Sequence, residues 1–235
     1  DNIGKGSCFS TYCDNICDTE RFILEKAPGV LASQERFLCF LKIISQTVKN
    51  GHALASIPSG VSSDLLMVKY LNIKNISISS IDLDIDSLNL TKHLYTKLNC
   101  QFPLNLIQCD AWSTDFNNEF DLLISSGLTI YEPCNRKIFD LYKIFYRALR
   151  KNGTLVTSFL TFPAVYKELT EWNMKEINLY NALMQKIIFS DLIGMRWECY
   201  RTSKETKQLL QEAGFLNVQI HYDKRKIFPT VTAIK

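Results

Sequence analysis

The sequence predicts an α/β fold, a seven-stranded and mostly parallel sheet with helices on both faces. Three observations predict it. Short apolar or alternating runs take turns with longer runs of helical periodicity. Several helical runs close on glycine, at Gly51, Asn152-Gly153 and Gly214. The last two strand-like runs lie close enough in sequence to pair antiparallel.

Taken in order, Phe37, Leu41, Ile44 and Val48 recur at helical spacing and predict a helix over 30–50. Residues 52–57 read as a short buried strand ending at Pro58, because a residue before proline is pushed to extended geometry. Val61, Leu65 and Val68 predict a second helix, and ISISSI over 76–81 alternates as a strand does. Helix 86–98, strand 104–109 and the buried strand FDLLIS at 120–125 follow. Ile138, Leu141, Phe145 and Leu149 carry a helix that Asn152-Gly153 is expected to stop, before strand 154–160. Residues 161–200 break this rhythm with an aromatic-rich, helical insertion. Helix 203–213 and strands 217–222 and 230–234 complete the chain. Residues 1–29 read as an N-terminal extension and 30–235 as one domain.

The 235 residues suit such a domain, and 46% apolar with 22% charged residues suffices for a packed core. A net charge of +3 is too balanced to announce a nucleic-acid surface; Lys224-Arg225-Lys226 is only locally basic. No apolar run approaches the ~20 residues of a membrane span. The opening DNIGKGSCFSTYCDNICDTE is polar throughout and unlike a signal peptide. Eight cysteines invite a metal or disulfide reading, yet Cys39, Cys100 and Cys109 sit in apolar runs as small hydrophobes. Cys8, Cys13 and Cys17 cluster without a CxxC pair or nearby histidine, so no metal is expected there. A reducing cytoplasm is the expected compartment.

Six local signatures, in order, resemble the class I S-adenosylmethionine-dependent methyltransferases. ALASIPSG stands where that family has its first strand and glycine-rich turn, and SSIDLDIDSL resembles its second strand with a terminal acid. LIQCDAW, FDLLISSGLTIYE, ALRKNGTLVTSF and LLQEAGFLNVQI are similar to later landmarks. The resemblance covers about residues 30–235 and implies a Rossmann-like sheet with an antiparallel C-terminal strand. It also implies S-adenosyl-L-methionine as cofactor, beyond the carboxyl ends of the strands. The first turn departs from the family pattern: Ser56 stands at the usual acid, Pro58 at the first glycine, and Gly60 alone remains. Hydroxyls of Ser59, Ser62 and Ser63 are the available substitutes for a glycine nest.

Asp82, 22 residues after Gly60, is expected to accept the ribose hydroxyls, with Asp84 on the same face as the fallback, or else the pair sits in a solvated turn between strand and helix. Leu83 follows it. Asp110 and the Ala111 amide are expected at adenine, with Trp112 flanking the purine, unless Asp110 merely opens a turn. Ser126 in the loop 125–132 lines the methionine end, and Tyr131 and Glu132 face an acceptor, although Tyr131 equally suits packing. That loop lacks the Asn/Asp-Pro-Pro-Tyr/Phe signature of nucleobase and glutamine amide methylation. Trp172 and Trp197 in the insertion are candidates for substrate contact if it forms a lid with helix 30–50; the alternative is core or an oligomer interface.

Methyl transfer is an in-line displacement that gains chiefly from alignment and water exclusion, so a missing base does not exclude it. His52, His93 and His221 occupy unremarkable positions, and no catalytic residue is assigned. The expected partner is a small-molecule acceptor, apolar or lipid-like; oligomeric state is left open. The rival reading is a binding scaffold that keeps the fold without catalysis, favoured by Ser56 and Pro58. An NAD-dependent oxidoreductase would need GxGxxG, which SIPSGVSS lacks. An RNA methyltransferase would want a basic stripe, for which Arg147, Arg150, Lys151 and 224–226 are the only candidates.

Overall fold

The computed structural model describes residues 16–235. Residues 1–15, about half of the expected extension, lie outside the described residues, and with them most of the polar opening and the Cys8 and Cys13 members of the cysteine cluster. Helices α1 (Asp18–Glu25) and α2 (Pro28–Thr47) lead into strand β1 (Ala53–Ser56), α3 (Ser63–Leu66), β2 (Ser77–Asp82) and α4 (Ile85–Lys97). Strands β3 (Leu104–Gln108) and β4 (Phe120–Ser125), helix α5 (Asn135–Ala148) and strand β5 (Leu149–Ser158) follow. After the insertion, with α6 (Leu179–Lys186) and a π-helical turn (Ile187–Leu192), come α7 (Ser203–Glu212), β6 (Leu216–His221) and β7 (Thr230–Ile234).

The strands form one seven-stranded sheet in the order β3-β2-β1-β4-β5-β7-β6. All pairs are parallel except β5 with β7 and β6 with β7. This is the Rossmann-like methyltransferase fold. Alternate residues along each strand feed opposite faces. Leu54, Ile78, Leu122 and Ile124 join Phe40 and Ile44 of α2, and Leu65 of α3, in one core. Ala55, Ile81, Leu123 and Leu155 join Ile138, Leu141, Tyr142 and Phe145 of α5 in the other. A third cluster, built from Ala32, Ile130, Leu160, Ile177, Ile227 and Phe228, joins α2 and the insertion to the segment before β7.

Two elements differ from expectation. The helix read through Val61 and Val68 is only Ser63–Leu66. The Tyr70 hydroxyl donates to the Leu65 carbonyl at 2.7 Å, and so takes an acceptor that a longer helix would use. Helix α5 stops at Ala148, ahead of Asn152-Gly153, which instead lies inside β5, where the register against β4 shifts. Asn152 has φ 63°, and a Cβ on Gly153 would approach the Arg150 carbonyl oxygen to 2.8 Å. The pair therefore makes a bulge, not a helix stop.

Candidate active site

The sheet order reverses between β1 and β4, and there a cleft of about 560 Å³ opens beyond the carboxyl ends of β1, β2 and β4. Its floor is the turn after β1. Gly60 adopts φ +49°, with nothing within 4 Å of where a Cβ would stand, so open space lies against its backbone. Both sides of this residue are anchored: its amide donates to Asp82 Oδ2 at 2.7 Å, and its carbonyl accepts from Thr91 Oγ1 at 3.0 Å. Asp82 Oδ1 accepts the Asp84 amide at 3.0 Å. Asp82 is thus nearly buried, held by two backbone donors, and keeps a free lone pair on each oxygen at the cleft.

The turn's serines are partly committed elsewhere. Ser62 shares a 2.6 Å hydrogen bond with Ser80, and Ser59 Oγ donates to the Gly60 carbonyl. Ser63 lines the cleft. Ser56, where the family pattern carries an acid, is buried with an unpartnered hydroxyl.

Opposite the turn, α2 contributes Arg36, Phe37 and Phe40. Arg36 and Phe40 are four residues apart and share a helix face. The guanidinium lies 4.0 Å above the Phe228 ring, and Nη1 donates to Ser158 Oγ at 3.1 Å. Its Nε is buried without a partner. Burial lowers the pKa of Arg36 to about 10. Asp64, on α3, also lines the cleft; burial raises its carboxyl to about 6 despite the bond from the Leu65 amide at 2.9 Å.

The loop after β4 forms the third wall. Gly127, at φ +81°, turns the chain and donates to Ser158 Oγ at 3.1 Å, the oxygen that Arg36 also reaches. Buried Arg201 fastens the loop from beneath through the Thr129 carbonyl (2.8 Å), the Glu132 carbonyl (2.6 Å) and Asn135 Oδ1 (2.9 Å). Ser126 and Tyr131 reach the cleft. Tyr131 is 61% exposed, and its hydroxyl accepts from Trp197 Nε1 at 3.3 Å.

The cleft therefore gathers Pro58, Ser59, Gly60, Ser63, Asp82, Ser126 and Tyr131 of the residues singled out from the sequence. The others stand outside its lining. Asp110 is exposed and accepts from the Trp112 amide at 3.0 Å, opening a 3₁₀ turn. Ala111 is buried in that turn, and Trp112 donates its indole N–H to the Lys137 carbonyl. Leu83 is exposed, adjacent to Asp82. Glu132 accepts from the Cys134 amide at 2.8 Å and pairs with Lys137 at 3.2 Å, the amide foremost in holding its carboxyl below the usual range. Trp172 packs in the third cluster and donates to Thr161 Oγ1 at 3.1 Å. Arg36, Phe37, Phe40 and Asp64 were not singled out for the site. The available signals were a lone cation on an apolar helix face and an acid four residues past Gly60.

No protein-family model matches the chain, and a search of curated proteins finds no match. Solved structures do match. A possible exported protein from Bordetella parapertussis superposes with a TM-score of 0.91 and 33% identity, over 100% of this chain and 77% of that one. A SAM-dependent methyltransferase from Aquifex aeolicus gives 0.58 and 14%, over 93% and 99% of the two chains. Haemonchus contortus phosphoethanolamine N-methyltransferase 2, in complex with S-adenosyl-L-methionine, gives 0.58 and 13%, over 95% and 61%. The latter two share the fold with this chain. The level of identity and coverage to the first shows more: this chain belongs to the same family as the Bordetella parapertussis protein, on the class I methyltransferase fold.

Proposed function

We propose that this chain binds S-adenosyl-L-methionine in the cleft and transfers its methyl group to a small-molecule acceptor. One observation carries the reading: nearly buried Asp82, fixed by the Gly60 amide, faces a cleft where the sheet order reverses. The residues present fit the cofactor. Asp82 has the spare acceptors that a vicinal diol requires. The open space against Gly60 admits a ligand close to backbone, which a side chain there would block. Exposed Leu83, next to Asp82, offers an apolar surface to a base, and the 110–112 turn is the proposed far wall for adenine.

The bound sulfonium supplies an activated methyl group, and the chain's own residues align and shield. Phe37, Phe40 and Tyr131 give the cleft an aromatic wall suited to an apolar or lipid-like acceptor. The insertion and α2, joined by the Gly29 amide to Gln185 Oε1 bond at 2.6 Å, are the proposed lid. No general base is assigned, since a nucleophilic acceptor in a dry, aligned site needs little help.

Titration calorimetry with S-adenosylhomocysteine tests the reading. Micromolar binding that Asp82→Ala weakens at least ~10-fold supports it, by the loss of one or more charge-assisted bonds. Absence of binding at millimolar ligand favours the scaffold reading, to which the unpartnered Ser56 hydroxyl and the single-glycine turn also point.

A further inference from the structure

We propose that Arg36 and Asp64 hold the amino-acid end of the cofactor, the guanidinium taking its carboxylate and the Asp64 carboxylate its ammonium group. This rests on the reading of the cleft as a site for S-adenosyl-L-methionine. Two opposite charges line one cleft and are not in ion-pair contact, although each feels the other electrostatically. Each is poorly satisfied by the protein. Of five guanidinium N–H donors one is used, to Ser158, while buried Nε has no acceptor. Asp64 is 7% exposed, and its carboxylate is met by backbone amides alone, those of Leu65 at 2.9 Å and of its own residue.

Desolvated charges left apart are unfavourable, and pairing with each other or with a ligand relieves them. A ligand that satisfies both presents an anion and a cation within one small molecule, as the zwitterion of an α-amino acid does. A phosphate or other polyanion suits Arg36 alone and is repelled by Asp64. The guanidinium is also pre-positioned. Phe228 supports one face at 4.0 Å, and Ser158, which also accepts from the Gly127 amide, fixes one edge. Ser56 stands where the family pattern has its acid and is buried outside the cleft lining, whereas Asp64 supplies a carboxylate to that lining.

Two probes separate this claim from the one beneath it. S-adenosylhomocysteine carries the amino-acid end; 5′-methylthioadenosine keeps nucleoside and thioether and lacks that end. Calorimetry on the whole chain should show the wild type binding the first about 100-fold more tightly. Arg36→Gln and Asp64→Asn should each weaken S-adenosylhomocysteine about 10- to 100-fold and leave 5′-methylthioadenosine unchanged, as expected for lost bonds to charged groups. Retained 5′-methylthioadenosine binding reports that each variant is folded. Equal wild-type affinity for the two probes, or variants that weaken both in proportion, overturns the assignment while the nucleoside site stands. If the wild type binds neither, the cofactor reading falls and this assignment with it.

Discussion

Burial raises the Asp64 carboxyl to a pKa of about 6, against about 3.9 for an aspartate in an unfolded chain. The folded state therefore holds that proton more tightly than the unfolded state. By linkage, this contribution lowers stability as pH rises between about 4 and 6 and is level above. Its size at neutral pH is about 3 kcal/mol, a burden that the site carries for having an acid there. Asp64→Asn should consequently be more stable than wild type above pH 6, by up to about 3 kcal/mol, and equal to it below about pH 4. Urea unfolding across that range measures both. A variant that is less stable at every pH would show that the charge is already compensated within the fold. Asp82 differs in kind, because two backbone amides hold it. Asp82→Ala should destabilise the Gly60 turn by about 1–3 kcal/mol as well as weaken the ligand, since those donors lose their acceptor.

Among the elements, the loop after β4 depends most on a single side chain. Arg201 satisfies two carbonyls of the loop that carries Ser126 and Tyr131 to the cleft, and Asn135 at its junction with α5. Arg201→Ala should cost at least about 2 kcal/mol, and Arg201→Lys should recover little of it, because a point charge cannot serve three acceptors spread around a planar fork. Chemical unfolding of both variants checks this; full rescue by lysine would tell against the geometry. Nothing near Arg201 in sequence signals this role, since its partners lie 66–72 residues away. The strands were legible for the opposite reason: ISISSI and FDLLIS carry their period locally, and both occur within a residue of where they were expected. Helix α3 was over-read because Tyr70, five residues beyond Leu65, takes a carbonyl that periodicity alone assigns to the helix. That Asp82 and Gly60 meet at the cleft was legible because strand end and turn fix their positions. Arg36 was not, because only the tertiary meeting of α2 with Phe228 and Ser158 turns a helix-surface cation into a cleft residue.

Across the whole molecule, the sheet and the insertion are held by different means. The sheet lies between two cores whose members include Leu54, Leu122, Leu123 and Phe145, all fully buried. Residues 162–200 leave Val165, Leu179, Tyr180 and Leu192 mostly exposed and contribute no strand to the sheet. They are tied down at separate points: Gln185 to the Gly29 amide, the Asn173 amide to the Arg225 carbonyl, and Trp197 to Tyr131. The Arg225–Glu35 pair, at 2.9 Å, in turn fastens the segment before β7 to α2 beside Arg36. Segments with few buried apolar contacts open locally at lower free energy than the core. Amide hydrogen exchange should therefore be faster in 162–200 than in β1, β4 and α5. If the insertion closes over the cleft, saturating S-adenosylhomocysteine should slow exchange in 162–200 and in the first half of α2, besides the contacts at 58–64 and 82–87, while α5 is unchanged. Slowing confined to 58–64, 82–87 and 126–131 would make the insertion a fixed wall. The aromatic surface of Phe37, Phe40 and Tyr131 would then have to exclude water without it.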